Sequence, residues 1–435
     1  MEHSARLNTA HFFLHWPMPS RPTRVRYRVV GFMLALGAIT YLDRACIATL
    51  SPDIRRDLGL SKDQMSWIYS AFAIAYAVFE IPTAWWADRM GTRRVFTRIV
   101  AWWSAFTVAT GAAWSFSSML IIRFLFGAGE AGAWPGMART FSRWIPRSER
   151  GTVQGIFFSA AHIMGGLTPV IALAVAGVCG WRWTFVLFGL PGIVWAVAWQ
   201  RWFRDDPEQH PAVNAAELEK IVAGRDPSTG QHEGWAYWKQ LLKHRNTLPL
   251  CLMYFPNSFG FYFCITWLPT YLQEQHDFSS MRLGFFTGLP LLLSPVADLL
   301  GGLATDAATR RFGLRIGRAG VGAASYLVAG VAMLLATTTA QPELAAWCIA
   351  TAVAASMFTL GAAWGTVIDI GGSHTGVVGA AMNTSGQIGS VICPLIVIGL
   401  QQHYDWNAPL YLIGTLFLVG AAAWGFINPH RKIFE

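Results

Sequence analysis

Charge is scarce in this sequence. Asp, Glu, Lys and Arg make up 13% of its 435 residues, about half the roughly 25% of a soluble domain. So few charges cannot cover the surface of a water-soluble protein of this length. Cysteine is scarce too. Cys46, Cys179, Cys251, Cys264, Cys348 and Cys393 each fall in or beside an apolar run, and none forms a CxxC pair. That spacing argues against a disulfide framework or a thiolate metal site and leaves small buried hydrophobes. There is no glycine-rich phosphate loop, so ATP is not the expected energy source. No metal or cofactor is expected. Residues 1–27 lack a signal peptide's short apolar region and small-residue cleavage site. They read as a cytoplasmic tail, with Met18 as a second start ahead of the basic cluster.

Long hydrophobic runs fill the rest. Mean hydropathy is +0.38 and 54% of residues are hydrophobic. Runs of roughly 18 or more apolar residues read as membrane helices, and about twelve recur between 28–50 and 409–427. The expected fold is therefore all-α and integral to the membrane, twelve transmembrane helices in two six-helix bundles. The expected units are a tail 1–27, an N-terminal bundle 28–203, a cytoplasmic linker 204–245, a C-terminal bundle 246–427 and a tail 428–435.

The net charge of +9 suggests nucleic acid until its positions are read. Twenty-six Lys and Arg fall on one predicted side and five on the other. This is the positive-inside pattern, with both termini cytoplasmic in the plasma (inner) membrane. The expected partners are the lipid bilayer and a small solute, with no nucleic acid, and the chain is expected to act as a monomer.

The halves echo each other at an offset of 218 residues. Ala84-Trp-Trp-Ala-Asp88-Arg-Met-Gly91-Thr-Arg93-Arg94 matches Gly302-Leu-Ala-Thr-Asp306-Ala-Ala-Thr-Arg310-Arg311, Leu60-Ser61 matches Phe278-Ser279, and Glu80 matches Asp298. A repeat of six spans is a signature of two-bundle transporters. The first segment resembles the G-x-L-A-D-R-x-G-R-R signature of the major facilitator superfamily, with Ala84 where the signature has glycine. Tyr41-Leu-Asp43-Arg44, Arg123-Phe-Leu-Phe-Gly127-Ala-Gly129-Glu130, Trp267-Leu-Pro269-Thr-Tyr271-Leu272 and Asn383-Thr-Ser-Gly386-Gln387-Ile-Gly389 are together similar to its anion:cation symporter family. That family includes bacterial galactonate, hexuronate and glucarate transporters. The resemblance implies secondary active, proton-coupled symport of a small organic anion by alternating access. A sugar acid is the leading substrate, and an aromatic or dicarboxylic acid is the alternative. A polytopic membrane enzyme is the competing class, but no interfacial catalytic constellation stands beside the repeat.

Ionisable residues inside a span cost about 2.5–3.5 kcal/mol and usually face a cavity or a partner. Arg44 is the expected anion anchor, because a guanidinium binds a carboxylate through two parallel bonds and keeps its charge. Asp43 and Glu130 are the expected proton carriers, with Arg123 neutralising whichever acid is ionised. The competing reading is a set of buried structural ion pairs, a weak stabiliser. Tyr41, Tyr76, Asn383, Gln387, Asn257 and His162 are further substrate-binding candidates. For His162 a hydrogen-bonded structural role is the stronger reading. Pro256-Asn257-Ser258 is expected to break its span, and Gly165-Gly166 with Pro169 to loosen theirs. Asp88, Arg93, Arg94 and Asp306 are expected to latch one conformational state. Glu80 and Asp298 are expected to meet loop arginines, either as local structure or as gate acids.

Overall fold

Lipid offers no partner to a free N–H or C=O, so apolar runs of this length must satisfy their backbone internally as helices. The computed structural model describes residues 21–222, 235–371 and 375–433 and is helical throughout, with no strand among the described residues. In chain order the first half contains α1 (Val25–Thr49), α2 (Ser51–Leu58), α3 (Lys62–Met90), α4 (Thr92–Gly111), α5 (Phe116–Glu130), α6 (Ala133–Trp144) and α7 (Arg147–Trp202). Short helices α8 (Ala215–Val222) and α9 (Trp235–Lys243) follow. The second half contains α10 (Thr247–Thr266), α11 (Leu268–His276), α12 (Ser280–Phe312), α13 (Val321–Ala336), α14 (Pro342–Phe358), α15 (Leu360–Gly371), α16 (Thr375–His403) and α17 (Asn407–Phe426).

Among the described residues, eight helical stretches are long and apolar enough to cross a membrane. One of them, Gly155–Trp202, holds two expected spans. Its helix α7 turns at Gly180, whose φ of 77° only glycine adopts readily. The three remaining expected spans lie in α3, α4 and α5 with α6. α4 opens on Arg93, Arg94 and Arg98, α3 carries Glu80 and Asp88, and the fourth span carries Arg123 and Glu130 and is divided at Ala131–Gly132. Val194, Leu299, Leu327 and Ile368 are exposed on the outside of the helices, a surface suited to lipid tails.

α1, α4 and α7 pack together, as do α3 and α5. In the second half α10 packs on α16 and α17, and α13 on α14 and α17. The halves meet where α7 crosses α12, where α3 crosses α16, and along α1 against α10 and α11. Chain start, linker and chain end share one face. Glu217 of α8 accepts from the backbone of Val25 and Arg26, Asn246 donates to Asn428 and Arg431, and Gln240 donates to Ile433. The repeat is visible in the helices. α3 begins after Ser61 and α12 after Ser279, the expected offset. α12 then runs 33 residues against 29 for α3, about one turn longer.

Two expected interruptions do not occur. α10 continues through Pro256 and Asn257 to Thr266, and α7 continues through Gly165, Gly166 and Pro169. A proline in a membrane helix can be absorbed where neighbouring helices support the freed carbonyl. Gly165 and Gly166 serve contact instead. A Cβ at Gly166 would sit 2.5 Å from Leu292 of α12, and one at Gly165 2.7 Å from the Tyr41 ring.

Candidate functional site

The structure gathers the first-half charged residues at the crossing of α1, α3 and α5. Arg44 donates through Nε to Glu130, whose side chain is fully buried. The Arg44 guanidinium lies 4.8 Å from the Tyr76 ring centre, 5.2 Å from Phe72 and 6.0 Å from Tyr41. Such an aromatic box suits a weakly hydrated planar cation. Arg123 does not bond Glu130. It stacks over Phe126 at 4.2 Å and Phe72 at 5.3 Å. Asp43 is 1% exposed, and the Thr107 hydroxyl beside its carboxylate donates at 3.1 Å to the Trp103 carbonyl, so neither carboxylate oxygen accepts a hydrogen bond of ordinary geometry. Its polar surroundings are Thr107, Arg123 and Glu130.

The cluster has unused bonding capacity. Nη2 of Arg44, Nε of Arg123, Oε2 of Glu130 and the Tyr76 hydroxyl are buried without a partner. Buried polar groups normally find partners, so several orphans around one point mark a place for a ligand, a proton or water. A narrow cavity of about 20 Å³ touches Arg44 and Arg123 from one side and Tyr262, Ile265 and Thr266 of α10 from the other. It has room for about one water. The conformation is therefore closed around the cluster, and a sugar acid would need the halves to part.

The polar bridges between halves among the described residues are uneven. Towards the face opposite the termini, Ser51 meets Thr270 at 3.4 Å, Lys62 and Arg55 meet Glu274, Lys62 meets Gln401, and Gln402 donates to Asp63. Ser70 donates to the Val391 carbonyl. About one turn nearer the termini than Arg44, His162 Nδ1 lies 3.6 Å from Asp298, and its ring packs edge-on against Tyr41.

That contact corrects one expectation. Among the described residues, no contact of Glu80 or Asp298 with a loop arginine is found. Glu80 is half-buried on α3, one turn beyond Tyr76, and its charged neighbour is Arg44. Ten residues of α3 separate it from the helix end, about 15 Å at 1.5 Å per residue, which is beyond a side chain's reach.

The other candidates lie apart. Asn257 donates to the Ser356 carbonyl at 3.0 Å and holds α10 to α14. Asn383 and Gln387 are half-buried one turn apart on α16, with the Gln387 carbonyl oxygen unpartnered. No hydrogen bond joins these three to the Arg44 cluster among the described residues. In the signature loop, Gly91 takes φ 81°, and a Cβ there would strike Asp205 at 2.4 Å. Asp205 accepts from the Arg93 backbone and the Thr92 hydroxyl, capping α4, while the Arg93 side chain donates to the Gln200 carbonyl. Arg94 is exposed, and the Asp88 side chain lies outside the described residues. Asp306 is exposed, 3.9 Å from Arg318, which pairs with Asp369 at 2.8 Å.

Sequence reasoning missed Tyr262, whose hydroxyl belongs to the electrostatic surroundings of Arg44. The repeat carried the signal, because Tyr262 stands 218 residues after Arg44.

Similarity to known proteins fits this architecture. The chain is 33% identical over 412 residues to a probable sulfoacetate transporter of Cupriavidus necator, covering 93% of this chain and 94% of that one. It is 31% identical to a probable galactarate/D-glucarate transporter of Bacillus subtilis, covering 93% and 90%, and 30% identical to a hexuronate transporter of the same organism, covering 91% and 93%. In fold it is similar to an inward-facing, occupied bacterial homologue of the human lysosomal transporter Spinster, with a TM-score of 0.74 at 19% identity over 92% and 96% of the chains. The profile of the Major Facilitator Superfamily matches residues 33–394, and the chain belongs to that superfamily.

Proposed function

We propose that this protein is a secondary active transporter that carries a small organic anion together with protons. The observation that supports it is the pairing of Arg44 with buried Glu130 beside a second buried acid, Asp43, that no cation pairs. With both acids ionised, Arg44, Arg123, Asp43 and Glu130 sum to zero. Protonating one acid leaves a net positive site, and an arriving anion restores neutrality. Burial of uncompensated charge is costly, so proton and anion each favour the other's binding, and the loaded site can cross while a half-loaded one is held back.

Arg44 is the anchor in this reading. A substrate carboxylate takes the free Nη2 and competes with Glu130, which then holds a proton. Tyr41, Tyr76 and Tyr262 flank the anchor as hydrogen-bond donors, and Asn383, Gln387 and Asn257 are polar candidates of the second half that substrate reaches only as the halves rearrange. The sugar acids are the leading class. A doubly charged acid, balanced by protons on both Asp43 and Glu130, is favoured within the wider range by one observation, that Arg44 and Arg123 border the same cavity. Sulfoacetate and glucarate, the cargo named for two relatives, are both dianions. The charge bias and the shared face of termini and linker support cytoplasmic termini in the plasma (inner) membrane, with the transporter working as a monomer.

The test is uptake of labelled D-glucarate, D-galactonate and sulfoacetate into proteoliposomes with and without an imposed pH gradient. Accumulation driven by an acidic exterior supports the reading. Uptake that ignores the pH gradient removes proton coupling.

A further inference from the structure

The closed face opposite the termini carries a cleft of about 340 Å³ lined by Pro52, Arg55, Arg56, Leu60, Gln273 and Glu274. That volume is within the usual range for small-molecule sites. Its charges are unevenly matched. Arg56 is paired with Asp53 at 3.1 Å, and Asp57 is held by Arg182 at 2.9 Å and by the Trp181 indole. Arg55 and Lys62 are left to share one carboxylate, Glu274, which also accepts from the Trp406 indole at 3.1 Å. Two cations converge on one carboxylate, while the neighbouring Asp63 is held by Gln402, and the Arg55 Nε is buried with no partner.

This same carboxylate bridges the halves. Arg55 and Lys62 belong to the first half and Glu274 to α11 of the second, beside the Ser51–Thr270 contact. Whatever satisfies Arg55 and Lys62 in place of Glu274 removes the charge that ties this face shut.

We propose that this cleft is an external anion site, in which the carboxylate or sulfonate of the arriving substrate binds Arg55 and Lys62, displaces Glu274 and so unlocks the face before the substrate reaches Arg44. The proposal rests on the reading of the protein as an organic-anion transporter. It adds a second, outer site of the same ligand chemistry. A ligand shifts a conformational equilibrium only by its difference in affinity between the two states. Here that difference arises because the open state frees both cations from Glu274.

A cysteine pair, Ser51→Cys with Thr270→Cys, reports closure without changing charge, since the two hydroxyls lie 3.4 Å apart. Cross-linking is read in full-length protein in lipid nanodiscs, with D-glucarate or sulfoacetate as the probe and sodium chloride of equal ionic strength as the control. The expected result is a fall in cross-linking rate of about fivefold on adding either probe, the lower end of typical coupling between sites. Glu274→Gln lowers the rate without any anion. Arg44→Lys, which disables the inner anchor, leaves the anion effect intact. An effect equalled by sodium chloride, or one lost in Arg44→Lys, overturns the outer site. Uptake assays on the same protein separate the two claims. Uptake with no anion effect on cross-linking sinks the outer site and leaves the transporter. An anion effect surviving in Arg44→Lys without uptake in the parent sinks the transporter reading and leaves the site.

Discussion

At the scale of single residues, the site divides into what a helix's own pitch fixes and what only packing between helices fixes. Seven residues put Arg123 and Glu130 on one face of α5, and adjacency fans Asp43 and Arg44 apart, so the participants were legible in the sequence. The partnerships were not. Glu130 pairs with Arg44, and Arg123 sits among phenyl rings, because nothing in the spacing along one helix sets its rotation against the next. This pairing sharpens two predictions. Arg44→Lys keeps the charge but loses the planar fork that spans Glu130 and the aromatic box, and lysine's compact ammonium cannot hold two parallel bonds. Transport should fall at least about tenfold, the equivalent of one lost charge-assisted bond, and unchanged uptake rates and affinity would remove Arg44 from the site. Glu130→Gln imitates the protonated acid. It should bind and exchange substrate across proteoliposomes while failing to accumulate it under a pH gradient. Accumulation equal to the parent would move the proton site to Asp43 or elsewhere.

At the scale of elements, the apolar runs located the spans, but the sequence misjudged how helices tolerate irregular residues. Pro256 sits inside unbroken α10, and the glycine pair in α7 marks contact with α12 and α1 rather than looseness. A proline signals a lost hydrogen bond, but only the neighbouring helices decide whether the helix gives way. The tightest crossing is Gly166 with Gly288, where a Cβ on Gly288 would lie 1.8 Å from the Gly166 carbonyl oxygen. Gly288→Ala should therefore force α7 from α12 and depress Ser51–Thr270 cross-linking several-fold, whereas Gly177→Ala, with open space around it, should behave as the parent does. Equal cross-linking in both would mean that the crossing is not what holds this face closed. The linker's role was likewise invisible, since its partners are nearly 200 residues away. Glu149, ahead of the apolar stretch of α7, accepts from Arg26 at 3.0 Å and Lys220 at 2.7 Å. The Arg26 bond, backed by Lys220, holds its carboxyl down to about 2. A depressed carboxylate stabilises the fold above its unfolded value, near 4.5, and the contribution disappears as pH falls towards 2. Glu149→Gln should lose about 1–2 kcal/mol at pH 7, seen as a lower melting temperature in detergent. The gap to the parent should narrow between pH 5 and 2, and a gap independent of pH would show that shape, not charge, was lost.

At the scale of the whole molecule, the sequence's 218-residue echo reappears as matched helices, and with it a shared logic in which both halves bring an acid to the seam. The echo does not carry through to the acids' surroundings. Glu80 lies near Arg44 within its own half, and Asp298 comes within 3.6 Å of His162 across the seam, the polar contact found on the termini side of the Arg44 cluster among the described residues. The repeat could not reveal this, because the partner of Asp298 lies on α7 and the residue 218 positions after His162 is Ala380. Among the described residues, the bridges towards the opposite face are more numerous. If His162–Asp298 is the termini side's remaining tie, Asp298→Asn removes the charge at constant shape and should let the side open more often. Ser159, one turn before His162 on α7, gives a position for a reporter cysteine. Labelling of Ser159→Cys by a membrane-impermeant maleimide applied from the termini face should rise several-fold in Asp298→Asn. Adding Glu80→Gln should raise it little further, because Glu80 does not cross the seam. An equal rise from Glu80→Gln alone would restore the symmetric pair of gate acids that the repeat suggests. Labelling unchanged in every variant would make both acids local structure, with the closed state held wholly by the opposite face.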